Sequence, residues 1–477
     1  MEKKVFSSLI WKLLERSGTY LIQFIIQIIL ARILMPEDYG IIAIVTIFIT
    51  IANVFVQTGF NTALIQKKQI DELDKSSVFY LSLFVAMILY VIIFFWAPII
   101  ADFYNNKLLE SVLRILSLTL FLGAFNSIQT AIVARNMQFK KYFFSSLISI
   151  IVSGTIGIFM AYNNFGIWAL VVQQLMNMLI LVIILVLNLK WTPKLKFSIK
   201  RIKTLFGYGW KLLVSSLIDN IYTNLYDLVI GKKYTSADLA FYNRGKQFPH
   251  LIISNINGSI STVLLPTMSQ KQDDLDSVKE LTRKSIVISS FILFPMIIGL
   301  AVIARPLVSL ILTDKWLDCV PFLQLLCFSY IFWPIHTTNL QAINALGRSD
   351  IFLKLEIIKK TIGIIALIIT IPMGLYAMAI GQIITGIIST FINSYPNKKL
   401  LNYSYNEQMK DIIPSLIISG LMAIFISPLL YLKLGNLTTI ILQVIIGMIV
   451  YIFGSIAFKV QGYLYIIEIL KIQFRKK

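Results

Sequence analysis

The sequence predicts an all-α polytopic membrane protein of about fourteen transmembrane helices, built as two parallel six-helix repeats plus a terminal pair, with two lobes around a central cavity. Three observations lead there. Apolar stretches recur along the chain, each long enough to match the roughly 30 Å hydrocarbon core of a bilayer at about 1.5 Å per helical residue. Of the 477 residues, 57% are hydrophobic and 14% are charged, with a mean hydropathy of +0.80, whereas a soluble domain carries about 25% charged residues. Finally, short motifs of the first half return in the second.

The apolar runs place six spans near 10–34, 41–65, 77–101, 111–134, 143–162 and 165–189. Six more follow near 208–231, 246–268, 285–312, 320–346, 354–373 and 374–395, and a pair near 412–432 and 437–458. This divides the chain into an N-terminal lobe (1–189), a basic linker (190–207), a C-terminal lobe (208–395), a final helix pair (396–458) and a basic tail (459–477). Trp11, Lys12, Glu15 and Arg16 interrupt the first apolar run and no small-residue cleavage site follows, so the N-terminus is expected to remain as part of helix 1.

Lys and Arg in short joints favour the cytoplasmic face. Assigning joints to alternate sides puts 33 of the 43 Lys and Arg on the side of the termini and 10 on the other. Both termini are therefore expected in the cytoplasm, with Lys107 and Lys433 outside. The densest joint holds Lys190, Lys194, Lys196, Lys200, Arg201, Lys203 and Lys211, where a basic amphipathic linker would meet anionic lipid headgroups. A net charge of +20 scattered over membrane joints is a topology signal and argues against nucleic acid as a partner. Cys319 and Cys327 read as packing residues.

Trp11-Lys12-Leu13-Leu14 recurs as Trp210-Lys211-Leu212-Leu213, 199 positions later. Ala31-Arg32 and Asp38-Tyr39-Gly40 align with Gly231-Lys232 and Asp238-Leu239-Ala240 at an offset of 200, and Gly166-Ile167-Trp168-Ala169-Leu170 with Gly374-Leu375-Tyr376-Ala377-Met378 at 208. Three ordered matches indicate duplication. Because each half has an even number of spans, the copies run parallel, related by an axis along the membrane normal.

Polar residues at helical spacing mark faces turned from lipid toward protein or water. Helix 1 carries Arg16, Tyr20, Gln23 and Gln27 at steps of four, three and four, and its counterpart helix 7 carries Asp219, Tyr222 and Tyr226, with Asp227 beside them. Helix 2 shows Thr46, Thr50, Asn53 and Gln57 on one stripe, and helix 8 shows His250, Ser254, Asn257 and Ser261. Single Ser, Thr, Asn or Gln residues often only tie helices together. Repeated in both halves, the stripes predict a wet cavity lined by helices 1, 2, 7 and 8. An ionised group at membrane depth costs at least ~2.5 kcal/mol, which singles out Arg16 and Asp219. The expected substrate contacts are Arg16, Tyr20, Gln23, Gln27, Asn53, Gln57, Lys211, Tyr222, Tyr226, Arg244, Lys246, His250 and Asn257. Asp219 and Asp227 are the candidates for ion coupling.

No enzyme signature accompanies this pattern. His250 and His336 stand alone, without paired metal ligands, and no Gly-rich phosphate loop occurs. No metal and no cofactor are expected.

Ala31-Arg32-Ile33-Leu34-Met35-Pro36-Glu37-Asp38-Tyr39-Gly40 resembles the signature turn of bacterial polysaccharide-repeat-unit flippases, of the multidrug/oligosaccharidyl-lipid/polysaccharide exporter superfamily. Gln57-Thr58-Gly59-Phe60, Ala63-Leu64-Ile65-Gln66, Ala237 to Arg244 and Ala345-Leu346-Gly347-Arg348-Ser349-Asp350 are similar to the colanic-acid-exporter-like branch. The resemblance covers essentially the whole chain. It implies that undecaprenyl-pyrophosphate-linked oligosaccharide is moved across the cytoplasmic membrane by alternating access, beside a polysaccharide polymerase and glycosyltransferases and without enzymatic chemistry. A few cations would serve the pyrophosphate, since guanidinium groups grip phosphate through paired hydrogen bonds: the pairs Lys12/Lys211 and Arg32/Lys232 would lie near the two mouths, and Arg16, Arg244 and Lys246 near the cavity wall. Tyr20, Tyr222, Tyr226 and the amides would face sugar. The rival readings are an ion-coupled small-molecule exporter on the same fold and a membrane glycosyltransferase.

Overall fold

The computed structural model describes residues 2–67, 69–432 and 434–475; side chains are described at all of these except 2–10, 13, 16, 17, 58–60, 208, 259, 469, 470 and 472–475. Every apolar run becomes a helical segment: α1 Glu2–Ile33, α2 Pro36–Gln66, α3 Glu72–Phe103, α4 Leu108–Asn136, α5 Phe139–Tyr162, α6 Ile167–Leu189, α7 Ile199–Lys233, α8 Ser236–Ser269, α9 Leu275–Leu312, α10 Asp314–Ala345, α11 Ser349–Thr370, α12 Leu375–Leu400, α13 Tyr405–Leu432 and α14 Asn436–Ala457. Among the described residues eleven of them are long and apolar enough to cross a bilayer unaided; Lys211, Asp219 and Asp227 interrupt α7, and Lys354, Glu356, Lys359 and Lys360 interrupt α11. The basic tail forms a helix, α15 Gln461–Arg475, seated on α9.

The chain packs as two compact units, 1–240 and 241–477. The division falls at Ala240, not in the basic linker where the repeat begins its second copy. Packing therefore groups α7, the first helix of that copy, with the first unit.

In the first unit α5 lies between α1 and α6. Without a hydrophobic force between helices in lipid, close packing depends on small residues. α5 supplies them every four residues: Ser145, Ser149, Ser153, Gly157 and Ala161 are all buried. A Cβ on its Gly154 would come within 2.9 Å of Ile26 on α1, and one on Gly157 within 2.8 Å of Gln173 on α6. The seams leave no room for a methyl group.

Joints predicted on one side do meet within this unit. At one end the α7–α8 turn reaches the α1–α2 turn, and Lys232 donates to the Phe103 carbonyl while its Nζ stands 4.1 Å from the Phe103 ring. At the other end Arg135 caps α2 by donating to the carbonyls of Leu64 and Ile65 at 3.2 Å and to Lys67 O.

The second unit is built on α9, which contacts α10, α13, α14 and α15. Its core includes Val278, Ile286, Phe294, Ile335, Ala342, Tyr403 and Ile412. Here too the joints gather at two ends: Arg283 meets Asp411 at 2.7 Å at one, and Asn436 donates to Ser309 at 3.0 Å at the other.

Candidate functional site

The turn carrying the family-like motif is a helix start. Pro36 occupies the first turn of α2, where its missing N–H costs nothing, and Asp38 Oδ2 accepts from the Met35 N–H at 3.3 Å. The second copy repeats the device: Asp238 Oδ2 accepts from Thr235 N at 3.0 Å and Thr235 Oγ1 at 2.7 Å. Two aspartates 200 positions apart thus do the same capping work. Gly40 is required by a close approach, since a Cβ there would overlap the Ser236 carbonyl.

The candidate residues separate into two kinds. Some are tied into packing. Gln57 donates to Asn53 Oδ1 at 3.0 Å, and the pair lies against Gly123 of α4, where a Cβ would stand 2.7 Å from Asn53 and 2.9 Å from Gln57. Asn53 precedes and Gln57 lies within a π-helical turn, Val54–Thr58, a distortion frequent at functional sites. On α7 the amides of Asn220 and Asn224 bond back to the carbonyls four residues earlier, both at 2.8 Å. Asp227 is buried at 8% exposure. Arg244, 7% exposed, donates to Gln247 Oε1 at 2.6 Å and lies 5.3 Å over the Trp316 ring. Buried against α10, it is held by protein, a different setting from the open cavity wall expected of it.

Others stay open. Tyr20 on α1 is 58% exposed; Lys211 and Asp219 on α7 and His250 on α8 are exposed as well. Gln23, Gln27, Tyr222, Tyr226, Lys246 and Asn257 are half-buried. The side chain of Arg16 and residue Lys433 lie outside the described residues. Within the first unit the structure brings Asn53 and Gln57 together.

The basic linker is anchored on protein more than its composition suggests. Trp191 is buried and donates to Glu72 at 3.2 Å, and the backbone N–H groups of Lys194 and Ser198 donate to Ser76 and Ser77 at 3.1 and 2.9 Å. Arg201 reaches Asp71 at 3.1 Å and Asp74 at 3.6 Å; Asp74, 1% exposed, also takes Lys67 at 2.7 Å. The Asp74 backbone N–H, with Arg201 beside it, holds the Asp71 carboxyl below the usual carboxylate range. Beyond this anchor Leu195 is 94% exposed, with Phe197 and Ile199 also exposed among Lys194, Lys196 and Lys200.

A buried polar cluster in the second unit was not anticipated. Asn339 donates to Gln408 at 2.8 Å and Ser394 at 3.2 Å, and accepts from Asn397 at 2.5 Å. His336 accepts at Nδ1 from Asn393 at 3.0 Å and lies 3.2 Å from Thr390 Oγ1, whose own proton goes to Gly386 O; this assigns the Nε2–H tautomer. The clasp joins α10, α12 and α13. Its signal was present in the spacing of Thr390, Asn393, Ser394 and Asn397 on an apolar helix. Among the described residues, no group of three His, Cys, Asp or Glu is placed to hold a metal ion.

A multi-pass, all-helical chain with small-residue seams, charged helix starts and polar faces has the build of a membrane transporter. Its fold is similar to that of the lipid II flippase MurJ in an inward closed conformation, with a TM-score of 0.77 at 16% identity, over 94% of this chain and 98% of that one. The chain belongs to the polysaccharide biosynthesis protein family, whose pattern matches residues 29–321. It is 25% identical over 327 residues to the succinoglycan biosynthesis transport protein ExoT of Rhizobium meliloti (strain 1021), covering 69% of this chain and 66% of that protein. It is 23% identical over 406 residues to the lipopolysaccharide biosynthesis protein WzxC of Escherichia coli (strain K12), covering 82% of each. These findings bear out the resemblance read from the turn motifs.

Proposed function

We propose that this protein moves lipid-linked oligosaccharide repeat units across the cytoplasmic membrane for surface polysaccharide assembly, by alternating access. The observation that carries the reading is the family match over more than half of a chain made of membrane-length helices. A polysaccharide biosynthesis protein with that build serves the pathway by moving an intermediate. Pyrophosphate and sugar cannot cross hydrocarbon bare, so polar side chains must replace their water. Tyr20, Gln23 and Gln27 on α1, Tyr222 and Tyr226 on α7 and His250 on α8 suit sugar hydroxyls. Arg16, Lys211 and Lys246 suit phosphate. Asp219 and Asp227 are the proposed ion-coupling groups.

The proposal extends to orientation and partners. Both termini lie in the cytoplasm, and the exposed Leu195, Phe197 and Ile199 with their lysines rest on anionic headgroups of that leaflet. The polymerase and glycosyltransferases of the same pathway supply and consume the cargo. The two repeats, 1–189 and 208–395, are the units of duplication.

The test is Arg16→Ala in cells that make the polysaccharide, at matched protein level. Lipid-linked repeat units should accumulate in the cytoplasmic leaflet and surface polysaccharide should fall, with Arg16→Lys restoring only part, because a point charge replaces a two-pronged donor. Full surface polysaccharide in Arg16→Ala would make the residue structural. Normal export in cells lacking the whole protein would overturn the function.

A further inference from the structure

A polar cavity lies wholly within the second unit, at the end opposite Arg283 and Asp411. It has a volume of about 530 Å³ and is walled by the last turns of α9, the start of α10, the α13–α14 turn and the first turn of α14. Arg305, Ser309, Asp314, Tyr431, Asn436 and Thr439 line it. The volume lies within the roughly 300–1,000 Å³ of small-ligand pockets.

Its charges are held apart. Arg305 and Asp314 share the cavity, yet the two form no ion pair within 4 Å, and Arg305 makes no hydrogen bond among the described residues. Asp314 is fixed instead by a relay from the opposite wall: Asn436 Nδ2 donates to Ser309 Oγ at 3.0 Å, and Ser309 Oγ donates to Asp314 Oδ1. The second carboxylate oxygen is left for another donor. A cavity with a guanidinium on one side and an oriented carboxylate on the other complements a ligand carrying an anion and a cation a short distance apart.

The surroundings say where such a ligand comes from. Tyr431, 83% exposed, stands at the rim, and Tyr is enriched at the level of lipid headgroups. Leu437 and Ile441 on α14 continue outward as exposed apolar surface for acyl chains. We propose that this cavity holds the headgroup of a zwitterionic glycerophospholipid, its phosphate on Arg305 and its ammonium on Asp314. The proposal does not depend on which substrate is moved; the proposed orientation, on which this one point rests, puts the cavity at the level of the outer leaflet.

The test is native mass spectrometry of the purified full-length protein with added dioleoylphosphatidylethanolamine, dioleoylphosphatidylglycerol or dioleoylphosphatidylcholine. The wild type should retain the ethanolamine lipid best. A charge-assisted hydrogen bond is worth about 1.5–3 kcal/mol, so Arg305→Gln should weaken retention of all three lipids roughly tenfold or more. Asp314→Asn should weaken the ethanolamine lipid by a similar factor while leaving the glycerol lipid unchanged. Leu317→Trp, which fills the cavity from its wall without altering charge, should displace all three. Unchanged retention in Arg305→Gln, or equal loss of every lipid in Asp314→Asn, would overturn the assignment. Soluble phosphorylethanolamine competing as well as the lipid would overturn the lipid source.

Discussion

Replacing Gly40 by Ala should destabilise the first unit, although Gly to Ala inside a helix ordinarily stabilises by up to about 1 kcal/mol. Gly40 sits in the first turns of α2, and an added Cβ would overlap the Ser236 carbonyl and stand 2.8 Å from Ser236 Cα. Non-bonded carbons need about 3.5–4.0 Å, and the carbonyl atoms lie closer still than Cα, so the two turns must part by more than an ångström. The obstacle is backbone, which cannot rotate aside as a side chain would. Overpacking of this kind costs typically about 1–3 kcal/mol, and at a rigid backbone contact the upper end applies. Net of helix propensity, about 2 kcal/mol is lost, which in a unit of 240 residues lowers Tm by roughly 4–8 °C. Gly420 on α13, with open space around its Cβ position, supplies the control: Gly420→Ala should melt at or slightly above the wild type. The assay is thermal unfolding of purified protein in detergent, followed by size-exclusion chromatography after heating. If Gly40→Ala melts with or above Gly420→Ala, the contact between the α1–α2 and α7–α8 turns is not as close as described, and the explanation of the motif's glycine is refuted.

If Asp219 or Asp227 couples transport to an ion gradient, its Asn variant should insert normally but lose gradient dependence in reconstituted vesicles; unchanged dependence in both singles and the double would remove them from the mechanism. A Cys placed at Lys107, with Cys319 and Cys327 replaced, should react with an impermeant thiol reagent in intact cells while one at Lys459 should not; the opposite pattern reverses the topology. The Asp71 carboxyl has a lowered pKa in the folded protein, so its contribution is present above the unfolded value near 4 and lost as pH falls through and below it. The pair with Arg201 is exposed and contributes at most about 1 kcal/mol. Asp71→Asn should therefore shallow the fall in Tm between pH 5 and 3 by a small amount, and a slope identical to that of the wild type would show that the Asp74 N–H and Arg201 do not favour the ionised Asp71.

Length and apolar rhythm by themselves determined the fourteen helical segments, and the turn motifs pointed to the family. These are one-dimensional signals, because a bilayer forces each crossing segment to satisfy its own backbone and to be apolar for a set length. Asp38 and Asp238 stood out only as aligned members of the repeat; that both cap a helix start is a finding of the structure. Which polar side chains stay open was decided only by the tertiary structure. Asn53 and Gln57 share a stripe with Thr46 and Thr50, but Gly123 of α4 arrives from 66 residues beyond Gln57 to pack on them. Arg244 sits in the same motif as Asp238, yet its guanidinium is taken by Gln247 and the face of Trp316. His336, seen in the sequence as a lone histidine, finds Thr390 and Asn393 more than 50 positions away. Asp314 and Arg305 gained a shared cavity only because the α13–α14 turn closes over them. The physical reason is common to all four: a polar residue in a span must find a partner, water or ligand, and the sequence states the need while the packing of distant helices chooses what meets it.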